Sequence, residues 1–286
     1  MTGPLSAPDF TGPVAYLRTC ACRAVPAELC RRGSSSDLGP REGVSPAGRL
    51  FSAMIGAVGD YGYRESGSPH LGVVWWATID EDAHYVDAAN EFWGFAFGVL
   101  VDGRPSATLI GPSLEPRELH LTAGERGWGV ELAAHVFVRQ LDKRRLVGAM
   151  RDLPTDGQFF ELAGVRLPVP EVDGIEDLIE VLLRQGILAA DQDVAAALAG
   201  QPVPLSRRGL HRHVASATGL SPKKHEQLQR ARGAYALLQN GWSLAAAALE
   251  AGFADQAHMT RAFTALAGKS PARILAGGPS PFDSRR

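Results

Sequence analysis

Apolar residues recur in two different patterns along the chain, and the change from one to the other divides it. From about residue 70, aromatic and β-branched runs such as LGVVWWATI (71–79) and FWGFAFGVLV (92–101) end at Gly, Pro or Asp. Similar short runs follow at 107–110, 119–121 and 129–138. Short apolar runs separated by turn residues are typical of strands in a barrel or sandwich, so we expect about five strands here.

Helical patterns replace the strands after residue 140. The segment that begins there is polar, and a Pro-Val-Pro spacer follows at 168–170. Ile175, Leu178, Ile179 and Leu182 then recur at helical spacing, which predicts an amphipathic helix. From residue 191 onward only helical patterns, rich in Ala and Leu, are present. The predicted fold class is α+β, with a strand-rich, barrel-like or sandwich-like N-terminal domain followed by an all-α domain.

These patterns divide the chain into five predicted segments. The first, at 1–49, is rich in Gly, Pro and Ser, and we expect a mostly disordered leader with one short helix near 24–32. The other segments are a strand-rich domain at 50–170 with an amphipathic start near 50–58, an amphipathic helix and linker at 171–190, a helical domain at 191–276 and a flexible tail at 277–286.

The charge of the chain is unevenly distributed. The total is −2, but residues 201–286 carry +8 and the remainder of the chain carries −10. A basic domain joined to an acidic body is expected for a nucleic-acid-binding module attached to a sensing or assembly domain. A basic domain that is merely soluble explains the charge equally well, so the charge alone does not decide the function.

Cysteine usage and the N-terminal sequence predict a cytoplasmic protein without a membrane segment. Cys20, Cys22 and Cys30 are clustered and odd in number, which is a poor disulfide framework. No secretory signal and no apolar run long enough for a membrane helix is present in the sequence. The thiols lack a fourth ligand at zinc-site spacing, so we interpret them as incidental and expect no metal site.

Residues 243–271 have the pattern of two short helices joined by a tight turn. Ser243 can cap the first helix, Gly252 can end it, and Asp255 can cap the second. A Gly-containing turn of three or four residues between two helices is the helix-turn-helix geometry. Met259, Phe263 and Leu266 are expected to face inward. The outward residues of the second helix are then Gln256, Ala257, Thr260 and Arg261.

A second unit of this kind lies upstream. A helix is expected over 190–200, and Ser206 can cap the next one, in which Leu210 and Val214 point inward. The outward residues of that helix are Arg207, Arg208, His211 and Arg212. Pro202 and Pro204 lengthen the turn, and Gly209 weakens the helix by about 1 kcal/mol relative to Ala. A helix over 223–239, with Leu228, Ala231, Tyr235 and Leu238 on one face, separates the two units.

These helical residues resemble the AraC/XylS family of transcription regulators over residues 191–274. The resemblance rests on GFADQAHMTRAF at 252–263 and GKSP at 268–271, supported by SRRGLHR at 206–212, TGLSPK at 218–223 and RAR at 230–232. It implies seven helices with two helix-turn-helix motifs, which enter successive major-groove segments on one face of the DNA. It also implies that the N-terminal domain senses a ligand, dimerises, or does both.

We therefore predict a sequence-specific, DNA-binding transcription regulator that is not an enzyme and needs no cofactor. Double-stranded DNA is the expected partner, and a small-molecule effector in the N-terminal domain, a homodimer and RNA polymerase are left open. Arg and Gln suit base readout, and Lys suits phosphate contact. The candidate DNA-binding residues are Arg207, Arg208, His211, Arg212, Gln256, Ala257, Thr260, Arg261 and Lys269, with Lys223 as a further phosphate candidate.

Two other classes of function are also compatible with parts of the sequence. One is an enzyme or small-molecule-binding barrel whose helical tail serves assembly, with a pocket lined by strand aromatics such as Trp75 and Trp93 instead of a plain core. No GxSxG, HExxH or phosphate-loop motif supports catalysis, so no catalytic residue is expected. The other is an alkyl acceptor that uses Cys20 or Cys30. The lone histidines His213 and His258 are interpreted as structural.

The charge and both motifs predict a simple division of labour between the domains. A fragment that begins at about residue 191 is expected to bind DNA alone, because the basic charge and the two motifs lie within it. If that fragment binds DNA but loses dimeric affinity, the helix over 175–183 is the leading candidate for a dimer contact.

Overall fold

The largest sheet of the protein is antiparallel and has six strands, in the order β1-β2-β7-β4-β5-β9. Three two-stranded pairs accompany it: β3 with β6, β8 with β12, and β10 with β11. The computed structural model describes residues 58–276, which lie within one compact unit of the chain. The strands are β1 (Val58–Glu65), β2 (Leu71–Ile79), β3 (Ala83–Asp87), β4 (Gly94–Val99), β5 (Pro105–Ile110), β6 (Arg117–Leu121), β7 (Arg126–Leu132), β8 (Val136–Val138), β9 (Met150–Asp152), β10 (Phe159–Leu162), β11 (Val165–Pro168) and β12 (Leu188–Ala190).

The strand count and two local assignments differ from the sequence prediction. The described residues contain twelve strands instead of about five, and the run at 129–138 belongs to two of them, β7 and β8. The polar stretch after residue 140, expected to be helical, forms only one helical turn and then β9 to β11. Ala163 and Gly164 both have positive φ, and this two-residue turn closes the β10–β11 hairpin. Phe160 and Leu167 of the hairpin are buried in the core, which fixes these short strands.

Aromatic residues in and beside the central strands fill the core. Trp93, Phe95 and Phe97 are buried, and the Phe97 ring packs edge-on against Phe160 with centroids 5.3 Å apart. Trp75, which the sequence grouped with Trp93 as a pocket candidate, is half-buried, and so are Trp76 and Phe92. The plain-core interpretation is therefore right for the three buried rings.

Eight α-helices are present in the described part of the chain. They are α1 (Lys143–Leu146), α2 (Ile175–Arg184), α3 (Gln192–Leu198), α4 (Arg207–Thr218), α5 (Pro222–Gln239), α6 (Leu244–Glu250), α7 (Gln256–Ala267) and α8 (Pro271–Leu275). A strand-rich part followed by a helical part is the predicted order. Residues 191–276 contain six helices, α3 to α8, and not the seven that the family resemblance implies. The residues just before α3 pair as β12 with β8, so no additional helix precedes it there.

The amphipathic helix α2 forms as predicted but uses its apolar face within the chain. Ile175, Leu178, Ile179 and Leu182 are buried in the same hydrophobic cluster as the sheet residues. The opposite face carries Glu176, Glu180 and Arg184, of which Glu176 pairs with Arg64. The apolar face of α2 is thus covered and is not available for the dimer contact considered above.

Two hydrophobic clusters cross the predicted boundary at residue 191. Val194 of α3 and Val214 and Ala217 of α4 belong to the cluster that contains the sheet core. Conversely, Ala88 and Ala89, which precede β4, belong to the cluster of helices α5 to α8. The strand-rich and helical parts therefore share their cores, and α3 and α4 rest directly on the strand-rich part.

Several sequence predictions concern residues that the structure does not describe. They are the leader at 1–49 with its short helix near 24–32, the amphipathic start near 50–58 apart from the first residue of β1, the three cysteines, and the tail at 277–286. Among the described helices, none is both long enough and apolar enough to cross a bilayer.

Candidate nucleic-acid interface

Helix α4 is the second helix of the first motif, and its ends are fixed by the residues that sequence analysis identified. The Ser206 hydroxyl accepts a hydrogen bond from the Gly209 amide at 3.1 Å, and Gly219 ends the helix with a φ of 88°. Val214 is buried on the inner face, whereas Leu210 is half-buried. The predicted outward residues Arg207, Arg208, His211 and Arg212 are all exposed.

Gly209 occupies a restricted position in the first turn of α4. A methyl group added there would lie 3.2 Å from the Ser206 hydroxyl oxygen that caps the helix. Glycine therefore has a lower helix propensity than alanine at this position, but it leaves the Ser206 cap undisturbed.

Helix α7 is the second helix of the second motif, and it is capped at both ends. The Asp255 carboxylate accepts a hydrogen bond from the His258 amide at 2.6 Å, and Gly268 ends the helix with a φ of 70°. Met259, Phe263 and Leu266 are buried, as the spacing predicts. On the outer face, Gln256, Ala257 and Arg261 are exposed and Thr260 is half-buried.

The turn of the second motif is held by an arginine that sequence analysis did not single out. Gly252 adopts a φ of 78°, which ends α6, and Phe253 is buried after it. Arg230 of α5 donates a hydrogen bond to the Gly252 carbonyl at 3.2 Å, and its guanidinium lies 5.5 Å from the Phe253 ring centre. The RAR run at 230–232 was the available sequence cue, because its first arginine is on the α5 face toward this turn.

The two histidines of the motifs have different surroundings. Nδ1 of His258 accepts a hydrogen bond from the Ala254 amide at 3.3 Å, and its ring packs edge-on against Phe253. His258 therefore helps to hold the turn, which is a structural role. His213 lies on α4 with its Nε2 2.9 Å from a carboxylate oxygen of Asp191.

Lysines near the two motifs differ in exposure. Lys223, at the start of α5, is exposed. Lys269 follows the C-terminal end of α7 and is half-buried. The neighbouring Gly268 lies close to the strand-rich part, since a methyl group on it would be 3.7 Å from Pro116 and 3.8 Å from Val86. Lys269 is thus at the opposite end of α7 from Gln256.

A family model described as a helix-turn-helix domain, of the AraC type, matches residues 201–277. Residues 201–277 are an AraC-type helix-turn-helix domain. The chain that carries this domain is a DNA-binding transcription regulator, as the sequence predicted.

No curated protein matches the chain in sequence. A solved structure of ToxT from Vibrio cholerae is similar over 76% of this chain and 98% of ToxT, at 10% identity and a TM-score of 0.37. A structure of ToxT from the same organism with a bound unsaturated fatty acid is similar over 76% of this chain and 95% of ToxT, at 11% identity and a TM-score of 0.36.

A short segment between β3 and β4, residues 88–93, connects the strand-rich part to three helices of the AraC-type domain. The Ala89 amide donates to the Leu266 carbonyl of α7 at 2.7 Å. The indole N–H of Trp93 donates to the Thr218 carbonyl of α4 at 3.2 Å. The 88–93 segment therefore contacts the C-terminal ends of both outward-facing helices.

An ion pair attaches the same segment to α5. Glu91 is only 1% exposed and accepts hydrogen bonds from both terminal nitrogens of Arg232. The Arg232 guanidinium also lies 4.9 Å from the Phe92 ring centre. A buried, bidentate pair of this kind is directional, and losing one partner would leave the other charge poorly solvated. The pair was not predicted from the sequence, although a single acid between Ala-Ala-Asn and Phe-Trp was a visible cue.

A buried histidine completes this interface. His225 is fully buried at the start of α5, with Nε2 3.0 Å from the Thr218 hydroxyl oxygen. Burial lowers the pKa of His225 below its ordinary value, nearby Glu91 opposes that shift, and Arg232 adds to it. The imidazole is therefore kept neutral at the contact between α4, α5 and the 88–93 segment.

Proposed function

We propose that the protein regulates transcription in the cytoplasm by reading double-stranded DNA with α4 and α7 together. The observation that carries this proposal is the arrangement of the two helices. Each has a capped N-terminus, a buried inner face and an exposed outer face with arginine in its first two turns. A recognition helix uses this part of its surface to contact base edges in the major groove.

The proposal assigns different roles to the exposed side chains. Arg212 and Arg261 are assigned to guanine and Gln256 to adenine, because guanidinium and amide groups make bidentate contacts with these bases. Arg207, Arg208, His211, Ala257 and Thr260 complete the proposed reading surfaces. The exposed Lys223 is assigned to phosphate, and the half-buried Lys269 is a second phosphate candidate at the far end of α7.

We further propose that the strand-rich part controls DNA binding through the 88–93 segment. This segment contacts α4, α5 and α7, so a displacement of it would change the relative position of both reading helices. A small-molecule effector or a second copy of the chain, bound to the strand-rich part, is the proposed cause of such a displacement. RNA polymerase is included as a partner on the strength of the AraC-type domain alone.

The proposal is tested by comparing a reading residue with a phosphate residue that carries the same charge. Arg261→Ala is expected to cost about 1–3 kcal/mol on the cognate duplex and to relax preference at one base position. Lys223→Ala is expected to weaken binding to cognate and scrambled duplexes alike and to reduce the salt slope by about one unit. Binding is measured by fluorescence anisotropy over a salt series. If Arg261→Ala loses the same affinity for the cognate and the scrambled duplex, α7 is only a basic surface and does not read bases.

A further inference from the structure

Three side chains with metal-ligating atoms meet where α3 begins beside α4. They are Asp191, Asp193 and His213, and their ligand atoms all lie within 4.8 Å of one another. Asp191 and Asp193 occupy the N-cap and second position of α3, and His213 is on the middle of α4. The two helices of the first motif therefore contribute to one group of donors.

His213 and Asp191 approach to hydrogen-bond distance, but the geometry of a hydrogen bond is not met. Nε2 of His213 is shielded from solvent and 2.9 Å from Oδ2 of Asp191, yet it forms no hydrogen bond. Oδ1 of Asp191 is already used, because it accepts from the Val194 amide at 3.0 Å. An imidazole nitrogen and a carboxylate oxygen at this separation share either a proton or a metal ion. When two ligand atoms each form a bond of about 2.1 Å to one ion and the bonds are at right angles, the two atoms lie about 3 Å apart. The separation of Nε2 and Oδ2 fits this geometry.

We propose that Asp191, Asp193 and His213 bind a divalent transition-metal ion. Two carboxylates and one imidazole form a mixed set of oxygen and nitrogen ligands. Such a set suits manganese or zinc better than a soft ion such as Cu(I), which prefers sulfur ligands. Their two negative charges balance the charge of the ion. All three residues are half-buried, so water can occupy the remaining coordination positions.

The ion would act on the first motif in two ways, and this part of the inference rests on the proposed function. It would tie α3 to α4 next to Arg212, which precedes His213 on the reading helix. It would also neutralise two carboxylates beside a surface that must approach DNA phosphates. Occupancy is therefore expected to raise DNA affinity several-fold.

Mn²⁺ is the appropriate probe for the full-length chain. Zn²⁺ is a less selective probe, because it also has affinity for single thiolates and for the exposed histidines His84 and His120, whose rings are 4.3 Å apart across β3 and β6. Binding is measured as the loss of the free Mn²⁺ signal in electron paramagnetic resonance. The wild type is expected to bind one equivalent, and Asp193→Asn and His213→Gln to bind at least tenfold more weakly. The double variant His84→Gln/His120→Gln is the matched control and is expected to bind like the wild type.

Asp193→Asn is the decisive variant, because Asp193 neither caps α3 nor contacts His213 through the 2.9 Å approach. Unchanged Mn²⁺ binding by Asp193→Asn and His213→Gln would overturn the site, as would no binding by the wild type at 1 mM Mn²⁺. DNA affinity is then measured with and without Mn²⁺. Loss of all DNA binding with Mn²⁺ binding intact would contradict the proposed function and leave the metal site supported.

Discussion

Phe263 is the residue on which the assignment of the outer face of α7 depends. Its ring is fully buried, together with Met259 and Leu266 on the same face. Removing a fully buried aromatic side chain costs both its transfer energy and the cavity that remains, so Phe263→Ala is expected to lower the free energy of unfolding by about 3–5 kcal/mol. Urea denaturation followed by circular dichroism measures this loss. A variant as stable as the wild type would mean that the helix faces are assigned the wrong way round.

Residue contacts within one motif could be predicted from the sequence, whereas contacts between distant segments could not. The caps at Ser206 and Asp255 depend on residues three positions apart, so local spacing was sufficient. The pair between Glu91 and Arg232 joins residues 141 positions apart, and neither has a local pattern that identifies the other. Asp191 and His213 likewise have no local pattern that links them. His213 was therefore interpreted as a lone histidine, because the sequence did not show that carboxylates lie beside it.

The turn between α6 and α7 is the element whose stability decides how the second motif presents its reading helix. Arg230→Ala removes the hydrogen bond to the Gly252 carbonyl and the contact with the Phe253 ring. The expected loss is roughly 1–2 kcal/mol of stability, with weaker binding to the cognate duplex, since a charged hydrogen bond and a partly exposed cation–π contact are removed together.

The measurement for Arg230→Ala is the melting temperature together with affinity for the cognate duplex. Arg273→Ala is the control, because Arg273 is an exposed arginine on α8. If both variants lose the same small amount of affinity, Arg230 acts only through its charge and does not hold the turn.

Elements with strong local patterns were predicted with nearly correct bounds, and short paired strands were not. Helix α2, strand β2 and helices α4 to α7 follow from spacing, caps and β-branched runs. Strands β9 to β11 have three or four residues each, and pairing with distant or adjacent segments defines them. Such strands have too few residues to show a period of their own. Strand β12 was likewise not predicted, because its partner β8 is about fifty positions earlier in the chain.

At the scale of the whole molecule, an isolated DNA-binding fragment would lack the part of the core that its first two helices share with the strand-rich part. Val194, Val214 and Ala217 pack into the cluster of the strand-rich part, so a chain that begins at residue 191 would expose these apolar groups. The second motif instead packs within the cluster of α5 to α8, with Ala88 and Ala89 as its contribution from the strand-rich part. The sequence pattern placed a boundary where the helices begin, but packing does not stop there.

The interface between the two parts makes stability depend on pH through His225. Burial lowers the pKa of this histidine in the folded state, whereas the unfolded chain has the ordinary value of about 6.5. Between the two values the unfolded state binds more protons, so stability falls as the pH falls. The loss of stability begins at about pH 6.5, the pKa of histidine in the unfolded chain, and is complete below the folded-state pKa.

Urea denaturation of His225→Gln and the wild type at pH 7.5 and 5.5 measures this dependence. The variant is expected to lose less stability on acidification than the wild type. His135 also has a pKa lowered by burial, so part of the dependence should remain. His211→Gln, at an exposed position, is expected to retain the full dependence. An identical pH dependence in His225→Gln and the wild type would contradict the account of this interface.

Selection of bound fragments from random DNA by the full-length protein, at a stated salt concentration, tests the central claim most directly. Two reading helices, α4 and α7, held together by the 88–93 segment should recover a bipartite motif. Its two parts should be about 10 bp apart, one helical turn, because both helices must reach the major groove on the same face. A single short motif, variable spacing between the parts, or no enriched sequence at all would contradict reading by two fixed helices.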